Sequence, residues 1–355
     1  MKIPSKRKRR RMVGPLIVAA LVSNVLCQAE EQLSISRNSP DEPMATSYSA
    51  KKSIDFIERS VTRWQISRKC VTCHTNGLHL VAGSQVTPDS RVLSENRDFA
   101  RKYLMGYVTG KTKQRGTRGA IEGLVASSSY LAIGEMISGK ALHQDTAKGL
   151  DYVWTQLDES GAWNDWLKCH WGPFEVDDHF GVTLATLAVS MSPQSYKSKP
   201  NVVEAYGKMK GFLKRNKVSS LHQKGMLIWI SKYDPTLISK EEKQEWIAEI
   251  KSLQQKDGGW VLIHFGDEQW KREDSLAQSQ ESDGYATAFA LYTLRQAEIP
   301  ADNQIIRQGV NWLKTRQRES GRWFTHSPRK NGKHYISQAG TSMALMALDS
   351  CGALN

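Results

Sequence analysis

Apolar residues in this chain recur at three- and four-residue spacing, and nothing in it resembles a succession of strands. The pattern alternates between two kinds of segment. Amphipathic stretches, with Lys, Arg and Glu on one face, lie near 52–68, 94–108, 146–157, 202–215, 241–255 and 303–317. Each is followed by a stretch rich in Ala, Gly, Leu and Ser, near 71–83, 117–138, 179–190, 220–232, 283–296 and 337–350. A helix with one charged face lies at a surface, whereas small residues let helices pack closely in an interior. The alternation predicts six hairpins, each an outer helix followed by an inner one. Such a set fits an all-α (α/α)6 toroid, whose hairpins close into a ring; an open helical solenoid shares the same periodicity.

Three of the outer stretches end alike, in a glutamine, a polar turn, a glycine and a tryptophan. The copies are WTQLDESGAW (Trp154 to Trp163), LQQKDGGW (Leu253 to Trp260) and KTRQRESGRW (Lys314 to Trp323). Glycine ends a helix by taking the left-handed conformation at low cost, and the Asp and Ser residues favour turns. A signature that recurs at helix ends marks a repeat architecture. These endings resemble the QW repeats of the squalene–hopene cyclase and protein prenyltransferase superfamily of α/α toroids, over roughly residues 50–352. The resemblance implies a six-hairpin ring with the inner helix starts opening on the functional cavity. The length fits one toroid, where the cyclases use two. Trp163, Trp260 and Trp323 read as braces of helix ends, and Trp166 and Trp171 as the aromatic residues available to a cavity.

Charge changes the picture less than its total suggests. The formal net charge is +13, but residues 1–29 hold seven basic residues and no acid. Without those seven, 42 basic residues face 36 acidic ones. The basic run precedes an apolar stretch, Val13 to Leu26, and then Cys27-Gln28-Ala29. That order reads as a secretory signal peptide over 1–29, with an N-terminal membrane anchor as the alternative. The charge therefore indicates an exported, periplasmic or extracytoplasmic protein and no nucleic-acid partner. Residues 30–49, rich in Ser, Pro and acids, read as a disordered lead-in, and 50–355 as the toroid.

Two clusters carry candidate chemistry. The first, Glu175-Val176-Asp177-Asp178-His179, sits where the third inner helix begins. Acids at a helix start serve as caps and favourable dipole charges. Clustered carboxylates also raise one another's pKa, so that one stays protonated near neutral pH and is available as a general acid. The segment resembles the D-x-D-D-T motif of class II terpene cyclases, which implies Asp177 as the acid with Asp178 and Glu175 beside it. Here Glu175 stands for the first Asp and His179 for the Thr. The implied activity is acid-initiated cyclisation or isomerisation of an apolar isoprenoid or similar lipid.

The second cluster is Cys70-Val71-Thr72-Cys73-His74, a C-x-x-C-H. In an exported chain it is the attachment signature of c-type haem, with both thiols on the vinyl groups and His74 on the iron. Zinc held by the same residues, or a disulfide, are the alternatives. A haem-bearing or metal-binding module with a redox partner is thus a second functional reading. His222 and His334 also fall near inner helix starts, as do His74 and His179. Closure of the ring would bring them to one rim, as possible ligands or partners of Asp177. Asp283 reads as a helix cap, and Cys169 and Cys351 as buried thiols. No P-loop, dinucleotide fingerprint, nucleophile elbow or H-E-x-x-H occurs.

Overall fold

A computed structural model describes residues 34–355, apart from 113–118, 165, 170, 175 and 334. The segment read as a signal peptide, with Glu175 and His334, lies outside the described residues. Six outer helices alternate with six inner ones. The outer set is α1 (Ala50–Arg68), α3 (Arg91–Val108), α5 (Gln144–Trp154), α8 (Pro200–Arg215), α10 (Lys240–Ser252) and α12 (Gln304–Arg316). The inner set is α2 (Asn76–Val86), α4 (Ala120–Ile137), α6 (Asp178–Met191), α9 (Leu221–Ser231), α11 (Gly284–Gln296) and α13 (Tyr335–Ser350). A one-turn helix, α7 (Gln194–Lys197), and a 3-10 turn at Leu262–Phe265 complete the described elements.

Each inner helix packs on the next, and α13 returns to pack on α2. The ring is closed, which excludes the open solenoid. Small residues set the spacing between inner helices: a Cβ at Gly134 of α4 would come within 2.2 Å of the Leu80 carbonyl oxygen on α2. Helix starts are fixed by side-chain caps. Ser220 with Gln223 and Ser239 with Glu242 form capping boxes at α9 and α10, each satisfying otherwise orphaned backbone groups.

The repeated turn has one construction in all three copies. The indole Nε1 donates to a carbonyl ten residues earlier: Trp163 to Val153 at 3.4 Å, Trp260 to Ile250 at 2.7 Å and Trp323 to Leu313 at 2.7 Å. The tryptophans thus tie the turn to the end of its own outer helix. The glycines Gly161, Gly258 and Gly321 have φ of +85°, +91° and +94°. A Cβ on Gly321 would also lie 2.2 Å from the Lys52 carbonyl oxygen of α1. Both conformation and contact there exclude a side chain.

The glutamine does something different from the tryptophan. Gln317 Nε2 donates to the Ser49 carbonyl (2.8 Å) and the Ser53 hydroxyl (2.6 Å), and its Oε1 accepts from Ser49 N–H (2.8 Å). Gln254 Nε2 likewise reaches the Ile305 carbonyl at the start of α12 (2.9 Å). Each amide joins its turn to the next outer helix in the ring. Gln156 does not: among the described residues its amide reaches only the Thr155 hydroxyl (3.0 Å). The turn bonds Asp158 N–H to Ala162, Gln255 to Gly259 and Arg318 to Arg322 are equivalent, which aligns Leu157 with Gln254 and Gln317. The seven-residue spacing of the first copy marks a missing bridge.

The lead-in departs from the sequence expectation. Instead of being disordered, it runs against the last turn from Ser36 onward. Ala45 N–H donates to the Gln317 carbonyl (2.8 Å) and Glu319 N–H to the Pro43 carbonyl (3.0 Å). Arg322, 1 % exposed, needs counter-groups, and Glu42 supplies a carboxylate at 2.6 Å. The guanidinium also donates to the Ser36 and Arg37 carbonyls and lies 5.3 Å from the Phe56 ring centre. A buried charge outweighs the polar composition of the segment that pairs with it.

Gln317→Ala should therefore destabilise the fold by about 1–3 kcal/mol, because it strands the half-buried Ser49 and buried Ser53 partners. Gln156→Ala should stay within about 0.5 kcal/mol of the parent. Urea unfolding of the two variants beside the parent measures the difference, and equal losses would exclude the bridging role.

Candidate functional site at the inner-helix rim

Hairpin alternation places the outer-to-inner turns on one rim, and hydrogen bonds join those before α2, α6, α11 and α13 to neighbouring elements of that rim. Thr75, before α2, donates to Gln338 of α13 (2.6 Å), and Asp177, before α6, accepts from Gln223 of α9 (2.8 Å). Thr325, before α13, donates to Asp283, before α11 (3.2 Å).

At the centre of this rim stands Phe174. Its ring centre lies 5.3 Å from Phe180, 5.8 Å from Tyr285 and 6.4 Å from both His74 and His222. His74 in turn lies 5.3 Å from Tyr335 and 5.0 Å from Trp64. His222 stacks on Phe289 at 4.3 Å, and its Nε2 pairs with the Tyr285 hydroxyl at 2.9 Å. Two of the four histidines at inner helix starts therefore share one aromatic cluster. His179 does not join them; its ring packs edge-on against Phe212 of α8, at 5.3 Å.

A cavity of about 10 Å³ remains beside Phe174, bounded also by Phe180, His222, Gln223, Met226 and Trp270. That is room for about one water. The cavity aromatics are Phe174, Phe180 and Trp270, not Trp166 and Trp171. Trp166 covers Gly181, where a Cβ would meet its ring at 2.5 Å, and Trp171 carries the Arg329 guanidinium at 4.3 Å. Phe174 directly precedes the acidic cluster and Tyr285 lies two residues beyond Asp283, and only ring closure shows that they meet.

The acidic cluster is distributed rather than pressed together. Asp177 caps α6: Oδ1 accepts from His179 N–H (2.9 Å) and Oδ2 from the Gln223 amide (2.8 Å). Asp178 turns away to Lys168, at 3.0 Å. Asp283 is a buried carboxylate of the rim, 6 % exposed. It accepts from the N–H groups of Leu262, Tyr285 and Ala286 and from Thr325. Burial raises its pKa to about 7 against the pull of those donors.

The C-x-x-C-H turn is pinned by Asn76, which donates to the Cys70 carbonyl (3.0 Å) and accepts from Thr72 N–H (3.1 Å). Thr75 gives its hydroxyl proton to Gln338, so its oxygen accepts from His74 Nδ1 (2.7 Å). That arrangement puts the proton on Nδ1 and leaves Nε2 as the lone-pair nitrogen. The thiols are less suited to ligation. Cys73 is 0 % exposed within the core, and burial raises the Cys70 pKa against the opposing effects of Trp64 and Arg68. Cys169 is likewise buried, and Cys351, like Cys70, is half-buried. Among the described residues no group of three His, Cys, Asp or Glu is arranged around a metal position.

Burial lowers the pKa of both His74 and His222 to about 3, so the mouth is uncharged at neutral pH. An unfolded histidine titrates near 6.5. Stability from these groups is thus fully present above about pH 6.5 and is lost as pH falls towards about 3. His222→Gln keeps an amide beside the Tyr285 hydroxyl and removes one such group. Near pH 5 it should lower the pH slope of unfolding free energy by about one proton, read from urea unfolding between about pH 4 and 7; an unchanged slope would show that His222 is charged in the fold.

Comparison with known proteins agrees with this architecture. Residues 233–354 match the family model of the squalene-hopene cyclase C-terminal domain. They span the hairpins whose turns carry the bridging Gln254 and Gln317. A 75-residue stretch is 41% identical to lanosterol synthase ERG7 of Saccharomyces cerevisiae, covering 21% of this chain and 9% of that enzyme. The matched portion is thus a small fraction of that relative's length. Two glycosidase structures, one in complex with glucose, superpose with a TM-score of 0.54 at 10% identity, covering 86% of this chain and 97% of theirs. At that identity they share the fold alone. Residues 233–354 are thus similar to a squalene-hopene cyclase domain, and the described residues form an α/α toroid.

Proposed function

We propose that this toroid, in an exported protein, binds an apolar isoprenoid or comparable lipid at the mouth built around Phe174. Asp177 would serve there as the proton donor for cyclisation or isomerisation. The observation that carries the reading is the aromatic mouth itself: Phe174, Phe180, His222, Tyr285 and Trp270 converge from separate elements and bear no charge at neutral pH. Such a lining desolvates a hydrocarbon and stabilises a developing carbocation through ring faces. Gln223 connects the acid to this mouth, since its amide bonds Asp177 Oδ2 and its side chain bounds the cavity. Asp178 balances Lys168 and positions the segment.

A lipid cannot share about 10 Å³ with the Phe174 ring, so binding displaces that ring from the axis. Phe174→Ala should then retain more lipid than the parent on purification from a lipid-containing host, measured by extraction and mass spectrometry. Asp177→Asn should bind the same lipid yet lose its conversion, by about 100-fold or more for a general acid. Conversion undiminished in Asp177→Asn would exclude the donor role, and purification of both proteins lipid-free would exclude the mouth.

A second reading, a haem-c or zinc module with a redox partner, rests on Cys70, Cys73 and His74. His74 Nε2 fits an axial ligand, because Thr75 and Gln338 orient the ring. The thiols do not fit a haem as folded: thioether formation needs both sulfurs at a porphyrin edge, and Cys73 is enclosed in protein. His222 packs too deeply among rings to serve as a distal ligand in this arrangement. The visible spectrum of protein exported from a maturation-competent host should lack a Soret band. Its presence would establish haem and require the first hairpin to repack.

A further inference from the structure

A second concavity lies on the same rim, outside the aromatic mouth. It has a volume of about 550 Å³, within the roughly 300–1,000 Å³ typical of small-molecule sites. Lys256, Arg316 and Arg318 line it, together with Asp257, Glu281 and His326.

Its acids and bases are unequally engaged. Asp257 accepts from Gly259 N–H (3.0 Å), the Ser282 hydroxyl (2.8 Å) and the Trp312 indole (2.9 Å). Asp283, at the back, is occupied by its four donors. Glu281 lies 3.9 Å from His326 and points largely to solvent. Among the described residues, by contrast, none of Lys256, Arg316 and Arg318 forms an ion pair with a carboxylate. Arg318 Nε is buried without a partner, although another of its nitrogens donates to the Glu42 carbonyl. Burial, and then the charges of Arg316 and Arg322, press down the Arg318 pKa against Glu42. Burial lowers that of His326, and the charges of Arg272 and Arg318 add to the effect against Glu281. The cleft is therefore a place where cationic donors exceed the acceptors free to meet them.

The Arg318 guanidinium carbon lies 5.5 Å from the centre of the Phe324 ring, and a guanidinium suits planar, two-point contact with an oxyanion.

We propose that this cleft binds a small anionic molecule, its carboxylate or phosphate held by Arg318 and Arg316 with Lys256 at the lip and its body against Phe324 and Met44. The site is independent of lipid binding at the mouth, and neither needs the other.

Calorimetric titration of the full exported chain with citrate, inorganic phosphate and glucose 6-phosphate tests it. At least one probe should bind saturably, more weakly as salt is raised. A citrate-only response assigns the carboxylate, and a response to both phosphates assigns the phosphate. Arg316→Gln combined with Lys256→Gln, two exposed changes, should weaken binding by about tenfold or more. Arg318→Met should abolish it. Lys51→Gln, which removes an exposed lysine paired with Asp55 on α1, should leave it unchanged. No saturation by any probe below about 10 mM, or equal losses in the Lys51→Gln control, would overturn the proposal. The double variant keeps the test decisive should Arg318→Met fail to fold.

Discussion

Everything at the rim depends on one contact, the closure of the last turn onto the first outer helix. A ring of hairpins has no end to absorb error, so the sixth hairpin must meet the first in register. Three features enforce that register within a few residues. The Gln317 amide is bonded to Ser49 and Ser53, Gly321 admits the α1 backbone to a distance no Cβ would allow, and Arg322 is buried against Glu42 and Phe56. Without closure, His74 would not face Tyr335, and Thr75 would have no Gln338 to orient it. The rim is a consequence of the seam.

Closure also explains why the centre is filled. Inner helices spaced by small residues leave a narrow axis, and long side chains from the rim loops occupy it. Phe174 takes the middle position, with histidines on two sides that burial keeps neutral. An uncharged aromatic plug has a low cost of desolvation and can exchange for another apolar group. The same narrowness excludes a flat macrocycle beside Cys73 unless the first hairpin rearranges.

Periodicity made the twelve ring helices legible, and each predicted stretch overlaps its observed helix. The tryptophan braces were legible for the same reason, since a repeated signature reports a repeated local job. What stayed hidden was non-local. The buried Arg322 draws residues 36–49 into order although their composition is that of a disordered segment. Gln156 resembles its counterparts in sequence, yet one extra residue puts Leu157 where the bridging amide belongs. Trp166 and Trp171 are near the acidic cluster in sequence, but Trp270, from another hairpin, is the tryptophan that reaches the mouth. A histidine at a helix start can face the axis, as His222 does, or an outer helix, as His179 does. Sequence position alone cannot separate the two.

The distribution of loop length points to this rim, and not the opposite one, as the place for binding groups. Inner-to-outer connections are short, such as Thr87 to Ser90 between α2 and α3. The three turns with the glycine–tryptophan signature instead run on, from Thr155 to Asp177, Leu253 to Asp283 and Gln317 to residue 334. Long connections on a rigid scaffold are where binding groups are usually placed. Here they supply Phe174 and Trp270 to the mouth, and Glu281, Arg318 and His326 to the neighbouring cleft. The braced turn makes this possible: once the indole and glycine have ended the outer helix, the chain beyond is relieved of structural duty. The cyclase-like sequence match falls on the two hairpins whose bridges are intact, while the third hairpin has lost its amide and contributes both Phe174 and Asp177. Scaffold and site thus divide within each turn, the first residues holding the ring and the later ones reaching the mouth and the cleft.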